Sequence, residues 1–214
     1  MINDMKSLKL KFGETKTIIE DISQGGEREY IIGENANLTL VLISRHAMSD
    51  TEITVRLVAA HSHVSVIGCI IEEKKDVHNL HTMQLHQAPN TTSNLLVKSA
   101  LFGHAAFSYD GAIRVERQAQ KTDAYQKNDN LLLSEFAHAK SKPSLEILAN
   151  DVRCTHGATT GMLSEDQLWY LASRGISKPA ATKLLVEGFF EQAIATISDT
   201  IMQQKVRRVL WQTL

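Results

Sequence analysis

The eight residues from Asp151 to Ala158, DVRCTHGA, bring together side chains that could do chemistry. Cys154 and His156 are separated by one residue, so in an extended strand both would point to the same side. There, an imidazolium could lower the pKa of the thiol and make it a nucleophile or a metal ligand. The alternative is a structural cysteine beside a histidine that caps the turn before Gly157. Spacing alone favours this second interpretation.

A second candidate is the pair His61 and His63 in the stretch AHSH. Histidines two residues apart would share one face of a strand, a spacing that metal-binding double-stranded barrels use. The first carboxylate that could complete such a site is Glu72, nine positions after His63, and this distance fits poorly. We therefore favour a solvated strand face that carries both imidazoles.

Three further histidines, His78, His81 and His86, lie in the stretch VHNLHTMQLHQ. Imidazole is a common metal ligand, but a site needs side chains that converge. In a regular strand His78 and His86 would share a face and His81 would point the other way. The favoured interpretation is a polar row on the surface or between strands. A stand-alone metalloprotein or metalloenzyme that uses all three is the alternative.

Other familiar signals are lacking from the sequence, which has no P-loop, GxGxxG, GxSxG or CxxC motif, so we expect no bound nucleotide. Lys and Arg number 23 against 24 Asp and Glu, which argues against nucleic acid and anionic membranes as partners. Apolar runs such as VSVIGCII at 64–71 are far shorter than the roughly 20 residues that cross a bilayer. The two cysteines indicate reduced thiols and a cytoplasmic location.

The predicted secondary structure changes from strands to helices near residue 160. From about 8 to 155, apolar and polar residues alternate, as in NLTLVLI and HVSVIGCII, which predicts many short strands. Turn signals such as SQGGERE separate them. Alternation alone cannot distinguish a sandwich, a barrel and a solenoid, and the sequence has no strict repeat.

The sequence after about residue 160 predicts helices. Ser164 and Gln167 have the spacing of a capping box, which predicts a helix over EDQLWYLASR with Leu168 and Leu171 on one face. Gly175 ends it. We divide the chain into a β domain at 1–160 and a helical domain at 161–214.

A second helix should begin at Ser177 and Pro179, because proline is favoured in the first turn. Its apolar residues at helical spacing are Ala181, Leu184, Leu185 and Phe189. An apolar stripe continues from there to the end of the chain.

The stretch at 143–190, PSLEILANDVRCTHGATTGMLSEDQLWYLASRGISKPAATKLLVEGFF, closely resembles the C-terminal part of the SufB/SufD family, the scaffold proteins of Suf iron–sulfur cluster assembly. Three motifs occur in order: LEI.A.DV.C.HGAT.G, DQL.YL.SRGIS and A..LL.EGF. The upstream stretch RQAQKTDAYQKNDNLLLS at 117–134 also resembles the family. Together these stretches cover about half of the chain.

The resemblance implies a mainly β protein, a right-handed parallel β-helix followed by a small C-terminal α-helical domain. It also implies a scaffold rather than an enzyme. Family members pair through their β-helices and dock the ABC-type ATPase SufC through their C-terminal helices. The residues that would bind SufC here are Leu168, Tyr170, Arg174, Leu184, Leu185 and Phe189.

Within the family, the chain is more similar to SufD than to SufB. The CxHGAT motif implies that His156, with Cys154 second, helps to build a transient iron–sulfur cluster, or holds iron, at a subunit interface. Where SufB-type members carry a functional cysteine, this chain has Asn128. Typical members are much longer, so this short form could pair with a SufB-like subunit or with itself as a homodimer. A purely structural SufC-binding module that tolerates loss of both side chains is the remaining alternative.

Overall fold

The structure is a computed structural model that describes residues 6–211. It contains twelve strands followed by three helices. The strands are β1 Lys6–Leu10, β2 Thr15–Asp21, β3 Gly26–Ile32, β4 Asn37–Arg45, β5 Met48–Leu57, β6 His63–Glu72, β7 Val77–His86, β8 Thr92–Leu101, β9 Ala106–Val115, β10 Thr122–Leu132, β11 His138–Ile147 and β12 Val152–Met162. The helices are α1 Glu165–Ser173, α2 Lys178–Ile194 and α3 Thr200–Trp211.

The strands form two six-stranded parallel sheets. The odd sheet has the order β1-β3-β5-β7-β9-β11, and the even sheet has the order β2-β4-β6-β8-β10-β12. Each turn of the chain therefore adds one strand to each sheet, which makes the molecule a parallel β-solenoid. The expectation of a parallel β-helix followed by C-terminal helices is confirmed.

The length of a solenoid turn increases along most of the chain. Lys6 pairs with Arg28, 22 positions later, whereas Ala106 pairs with His138, 32 positions later. Because the turn length drifts, a regular structural repeat leaves no fixed period in the sequence.

Five of the six turns that lead from the odd sheet to the even sheet hold one residue in the left-handed conformation, and the turn between β11 and β12 holds none. These residues are Gly13, Asn35, His61, Asn90 and Lys121, with φ between 54° and 68°. His61 therefore lies in a turn, and β6 begins at His63. The prediction that the two histidines share a strand face is wrong, because a left-handed residue interrupts the alternation of side chains.

The two largest apolar cores lie on opposite faces of the even sheet. The first lies between the sheets and is mainly aliphatic, with in-register residues such as Leu40, Val66 and Leu95. The second lies outside the even sheet, where α2 and α3 cover an apolar patch on β4, β6 and β8. Its buried members are Val41, Ile43, Ile67, Cys69, Ile71, Ala100, Val186, Phe190, Ala193, Ile194, Ile197, Val206 and Leu210.

The face that α2 turns toward the sheet differs from the predicted stripe. The buried residues of α2 are Ala181, Val186, Phe190, Ala193 and Ile194. Leu184 is 49% exposed. Because α2 is apolar on two sides, helical spacing alone cannot show which side meets the sheet.

The first helix has the predicted ends. The Ser164 hydroxyl accepts a hydrogen bond from the Gln167 amide, and Gly175 follows α1 with a φ of 81°. No residue of α1 is buried. No helix within residues 6–211 is long and apolar enough to cross a membrane.

Candidate functional site

The predicted chemical residues lie on β12, the last strand of the even sheet. β12 pairs with β10 on one side only, and β11 ends the odd sheet in the same way. Within the described residues no further turn covers this end of the solenoid. The two edge strands therefore surround an opening into the space between the sheets.

Cys154 and His156 lie on the inner face of β12. Their register partners on β10 are Ala124 and Gln126, whose side chains are almost completely buried between the sheets. Cys154 is half-buried and packs against a small apolar cluster that includes Ile113. His156 is exposed and makes no side-chain hydrogen bond within residues 6–211. The two side chains share one face, as their spacing predicts.

The environment of Cys154 does not activate the thiol. Burial raises the pKa of Cys154, the charge of Asp123 raises it further, and a hydrogen bond with the Ala124 backbone opposes both. Asp123 itself is held by Arg153, whose guanidinium donates to the carboxylate and lowers the pKa of Asp123. None of these effects gives the thiol a net lowering of its pKa, and the exposed side chain of His156 is more accessible than the half-buried side chain of Cys154.

The interior of the solenoid becomes polar just below His156. The inner column that ends at His156 contains Leu40, Val66 and Leu95 in earlier turns, and then Gln126. A buried amide in an otherwise aliphatic column costs stability unless it finds partners. This change marks the last turns as different from the rest of the core.

Gln126 lies in a small cross-sheet cluster that sequence analysis missed. Its Oε1 accepts a hydrogen bond of 3.3 Å from Gln84 Nε2, while Gln126 Nε2 and Gln84 Oε1 have no partner within the described residues. The Tyr109 hydroxyl bonds Thr82 Oγ1 at 2.9 Å beside them. Gly111 makes room, because a Cβ there would collide with the Tyr109 hydroxyl and with Gln126 Nε2. A glycine in the middle of a strand is the only sequence signal of this cluster.

Asn128 is fully buried and connects neighbouring strands. Its Nδ2 donates to the Val97 carbonyl oxygen at 3.2 Å, and its Oδ1 accepts from Asn130 Nδ2 at 3.0 Å. Asn130 Nδ2 also lies within hydrogen-bonding distance of Ser141 Oγ on β11 and of Thr160 Oγ1 on β12, so its two N–H groups are shared among these acceptors. These amides connect the two edge strands of the solenoid.

The other histidines do not converge. His78 and His86 are buried on the inner face of β7, whereas His81 is exposed on the outer face. His78 bonds Glu72 through Nδ1 and Thr51 through Nε2, at 3.1 Å each. Within residues 6–211, no group of three or more His, Cys, Asp or Glu side chains is arranged to hold a metal ion. The three-histidine metal site is therefore not formed by this chain.

His86 is partnered by hydroxyl groups on both sides of its ring. Nδ1 lies 2.7 Å from Thr91 Oγ1, and Nε2 lies 2.8 Å from Ser93 Oγ. Burial lowers the pKa of His86 from 6.5 to about 4, so the ring is neutral at physiological pH. The favoured prediction is a polar row on the surface or between strands; the structure places His86 in the interior, with hydrogen-bond partners on β8 and in the turn before it.

The helical residues predicted to bind a partner fall into two groups. Tyr170 and Leu184 are 54% and 49% exposed, and Arg174 lies over the Tyr170 ring with its Cζ 5.3 Å from the centroid. Tyr170, Leu184 and Leu185 line a cleft of about 360 Å³ between α1 and α2. Leu168 is half-buried on α1.

Phe189 contacts the even sheet as well as the surface of α2. It is half-buried, and its ring lies against Lys98 Nζ, 4.1 Å from the ring centroid. Lys98 also donates to Gln192 Oε1 at 3.0 Å, which connects β8 to α2. Phe189 thus helps to attach α2 to the even sheet.

Comparison with known proteins gives a consistent picture. Residues 9–189 match the family model described as SUF system FeS cluster assembly, SufBD core domain. The chain is 33% identical to the iron–sulfur cluster assembly protein SufD of Escherichia coli over 141 residues, 66% of this chain and 33% of that protein. It is 29% identical to a SufBD family iron–sulfur cluster assembly protein of Synechocystis over 209 residues, 84% of this chain and 46% of that protein.

A third relative is the chloroplastic protein ABCI7 of Arabidopsis thaliana, which is 33% identical over 139 residues, 65% of this chain and 29% of that protein. The chain thus spans between about a third and a half of the length of the curated relatives that it matches.

Proposed function

The chain belongs to the SufBD core family of the SUF iron–sulfur cluster assembly system and is SufD-like, and we propose that it acts as a scaffold subunit in that assembly. In this role its β-solenoid edge forms part of a subunit interface, and its C-terminal helices dock the ATPase SufC. The chain itself supplies no catalysis of turnover. A nascent cluster, or its iron, is the cargo of the interface.

The observation that carries the proposal is the position of His156. It is an exposed imidazole without a side-chain hydrogen bond in the described chain, on the inner face of β12, an edge strand that pairs on one side only. Cys154 lies two residues away on the same face. Thiolates and imidazoles are the side chains that bind iron in clusters. A strand edge also presents free backbone groups for pairing with another chain.

A second subunit is needed to complete any cluster site at this edge. A cluster requires about four protein or exogenous ligands, and Cys154 with His156 supplies two. The opening also exposes apolar side chains, since Met162 is 60% and Ile147 38% exposed. We propose that a SufB-like subunit, or a second copy of this chain, covers these residues and adds the remaining ligands.

The test is anaerobic cluster assembly on the purified complex with SufC, with and without a SufB-like subunit. We expect His156→Ala to reduce bound iron and sulfide while the fold and SufC binding persist. Cys154→Ser should reduce them less, because the thiol is half-buried and its pKa is raised. Thr155→Ala, an outward-facing change on the same strand, is the matched control. If bound iron and sulfide are unchanged in His156→Ala and in the variant that combines His156→Ala with Cys154→Ser, the chain is a structural SufC-binding module.

A further inference from the structure

A cleft of about 570 Å³ lies on the outer face of the even sheet, away from the β12 edge and from the α1–α2 cleft. Its floor is formed by strands β4, β6, β8 and β10. The connection between α2 and α3, including Thr196 and Ser198, forms one wall. A volume in this range is typical of small-molecule and oligomer binding sites.

The floor of the cleft carries a row of hydrogen-bonding side chains. Thr39, Ser65, Asn94 and Tyr125 lie in register on four successive strands. None of the four makes a side-chain hydrogen bond within residues 6–211, and Tyr125 is 39% exposed. A polar row that is already satisfied inside the chain would need no ligand, whereas this one leaves every member available.

The cleft is electrically neutral. His63 also lines it, and burial lowers the pKa of His63, which favours the neutral form of that ring. Among the residues that the structure describes, no Lys, Arg, Asp or Glu side chain lines the cleft. The nearby N-terminus of α3 is occupied by Asp199, whose Oδ1 accepts from the Ile201 and Met202 amides. Phosphates and carboxylates would lack a cationic partner here, and cations would lack carboxylates.

The side-chain types indicate a neutral ligand rich in hydroxyl groups. Hydroxyl, amide, phenol and neutral imidazole groups each donate and accept hydrogen bonds, which suits a ligand whose hydroxyls do both. Ile67 and Leu96 add an apolar strip beside the polar row. The Tyr125 ring offers a surface for the C–H face of a sugar ring.

The spacing of the row favours an extended chain of sugar rings. Neighbouring strands in a sheet are about 4.8 Å apart, close to the length of one pyranose ring. A row across four strands would therefore meet successive rings of a linear oligosaccharide. We propose that this cleft binds a neutral oligosaccharide that runs along the solenoid axis, with Tyr125 stacked on one ring and Asn94, Ser65 and Thr39 bonded to hydroxyls.

Calorimetric titration of the full chain with maltohexaose and cellohexaose tests the proposal, with hexagalacturonate as the anionic counterpart of equal length. We expect one neutral hexasaccharide to bind at a single saturable site and hexagalacturonate to bind more weakly. Asn94→Ala and Thr39→Val should each weaken binding about fivefold, the loss of one net hydrogen bond. Tyr125→Ala should weaken it about tenfold.

The matched control is Ser108→Ala, on the outer face of the odd sheet, which should leave the affinity unchanged. A thermal melt of each variant verifies that the fold persists. The proposal is overturned if neither neutral hexasaccharide binds in the millimolar range, or if folded variants retain the parent affinity. Binding of hexagalacturonate as tight as that of the neutral chains would also overturn it.

Discussion

Arg45 on β4 donates a hydrogen bond from Nη1 to the carbonyl oxygen of Leu210 near the end of α3, at 2.8 Å. The last carbonyls of a helix have no partner inside the helix, so a guanidinium there both bonds one of them and complements the helix dipole. Burial lowers the pKa of Arg45, although the charge of Glu73 opposes this effect. One side chain thus connects the solenoid to the last helix of the protein.

The first prediction is that Arg45→Met loosens α3. A hydrogen bond from a charged donor contributes about 1.5–3 kcal/mol, so we expect the free energy of unfolding to fall by about 2 kcal/mol. Urea denaturation followed by circular dichroism measures this change. Arg56→Met is the control, because Arg56 is 40% exposed in its pair with Glu29 and an exposed pair contributes little. An equal loss of stability in both variants would contradict the role given to Arg45.

Gly111→Ala tests the cluster below His156. The added Cβ would collide with the Tyr109 hydroxyl and with Gln126, and overpacking a core costs about 1–3 kcal/mol. Adding Tyr109→Phe should recover part of the loss, since it removes one of the colliding atoms. Gly161→Ala, where a Cβ would meet nothing within 4 Å, should have little effect. Thermal unfolding ranks the stability of the parent, the Gly111→Ala variant, the variant that also carries Tyr109→Phe, and the Gly161→Ala variant. A Gly111→Ala protein as stable as the parent would rule out the tight contact.

The burial of neutral His86 predicts a loss of stability in mild acid. Burial lowers the pKa of His86 from 6.5 to about 4. Below pH 6.5 the imidazole is therefore protonated in the unfolded chain, whereas it stays neutral in the folded chain until the pH approaches about 4. The free energy of unfolding should therefore fall as the pH decreases through this window, by roughly 2 kcal/mol at about pH 5. His86→Gln should reduce this pH dependence, whereas His81→Gln, on the exposed face of β7, should not. Urea unfolding of the parent and of both variants, at about pH 7 and at about pH 5, measures the pH dependence of each protein.

Docking of SufC should depend on the surface shared by α1 and α2. Removing all three helices would uncover the apolar patch on the even sheet, so a point substitution is the cleaner test. We expect Leu184→Asp to weaken SufC binding at least about tenfold, since a buried unpaired charge costs several kcal/mol. The matched control is Ile201→Asp on α3, because the Ile201 side chain is 64% exposed. Surface plasmon resonance with immobilised SufC measures both, and equal affinities would place the contact elsewhere.

The sequence predicts local features of this fold better than contacts between distant residues. Alternation gives the strands, and Ser164 and Gly175 give the ends of α1, because these signals depend on neighbours in the chain. The prediction that His61 shares a strand face with His63 is wrong because the left-handed turn at His61 follows from the solenoid geometry. The predicted apolar stripe of α2 includes the exposed Leu184 because α2 is apolar on two sides and spacing does not show which side is buried.

The polar cluster around Gln126 has no local signal apart from Gly111. Its members come from β7, β9 and β10, and only the stacking of solenoid turns brings them together. Drifting turn lengths hide this stacking from any search for a fixed repeat. The candidate edge was found by resemblance, and its inner-facing geometry required the structure.

Thiol labelling tests whether a partner covers the β12 edge. Cys69 is completely buried beneath the helices, and burial raises its pKa to about 12, so it should not react in the folded protein. Cys154 is half-buried at the open end and should be the one thiol that a maleimide labels in the isolated chain. When a SufB-like subunit or a second copy occupies the edge, labelling of Cys154 should slow by about tenfold or more, because the reagent reaches the thiol only through that opening. Mass spectrometry with and without the partner measures this protection, with the Cys154→Ser variant as the control for labelling at Cys69. Labelling of Cys154 at an unchanged rate in a verified complex would show that the subunits meet at a different surface.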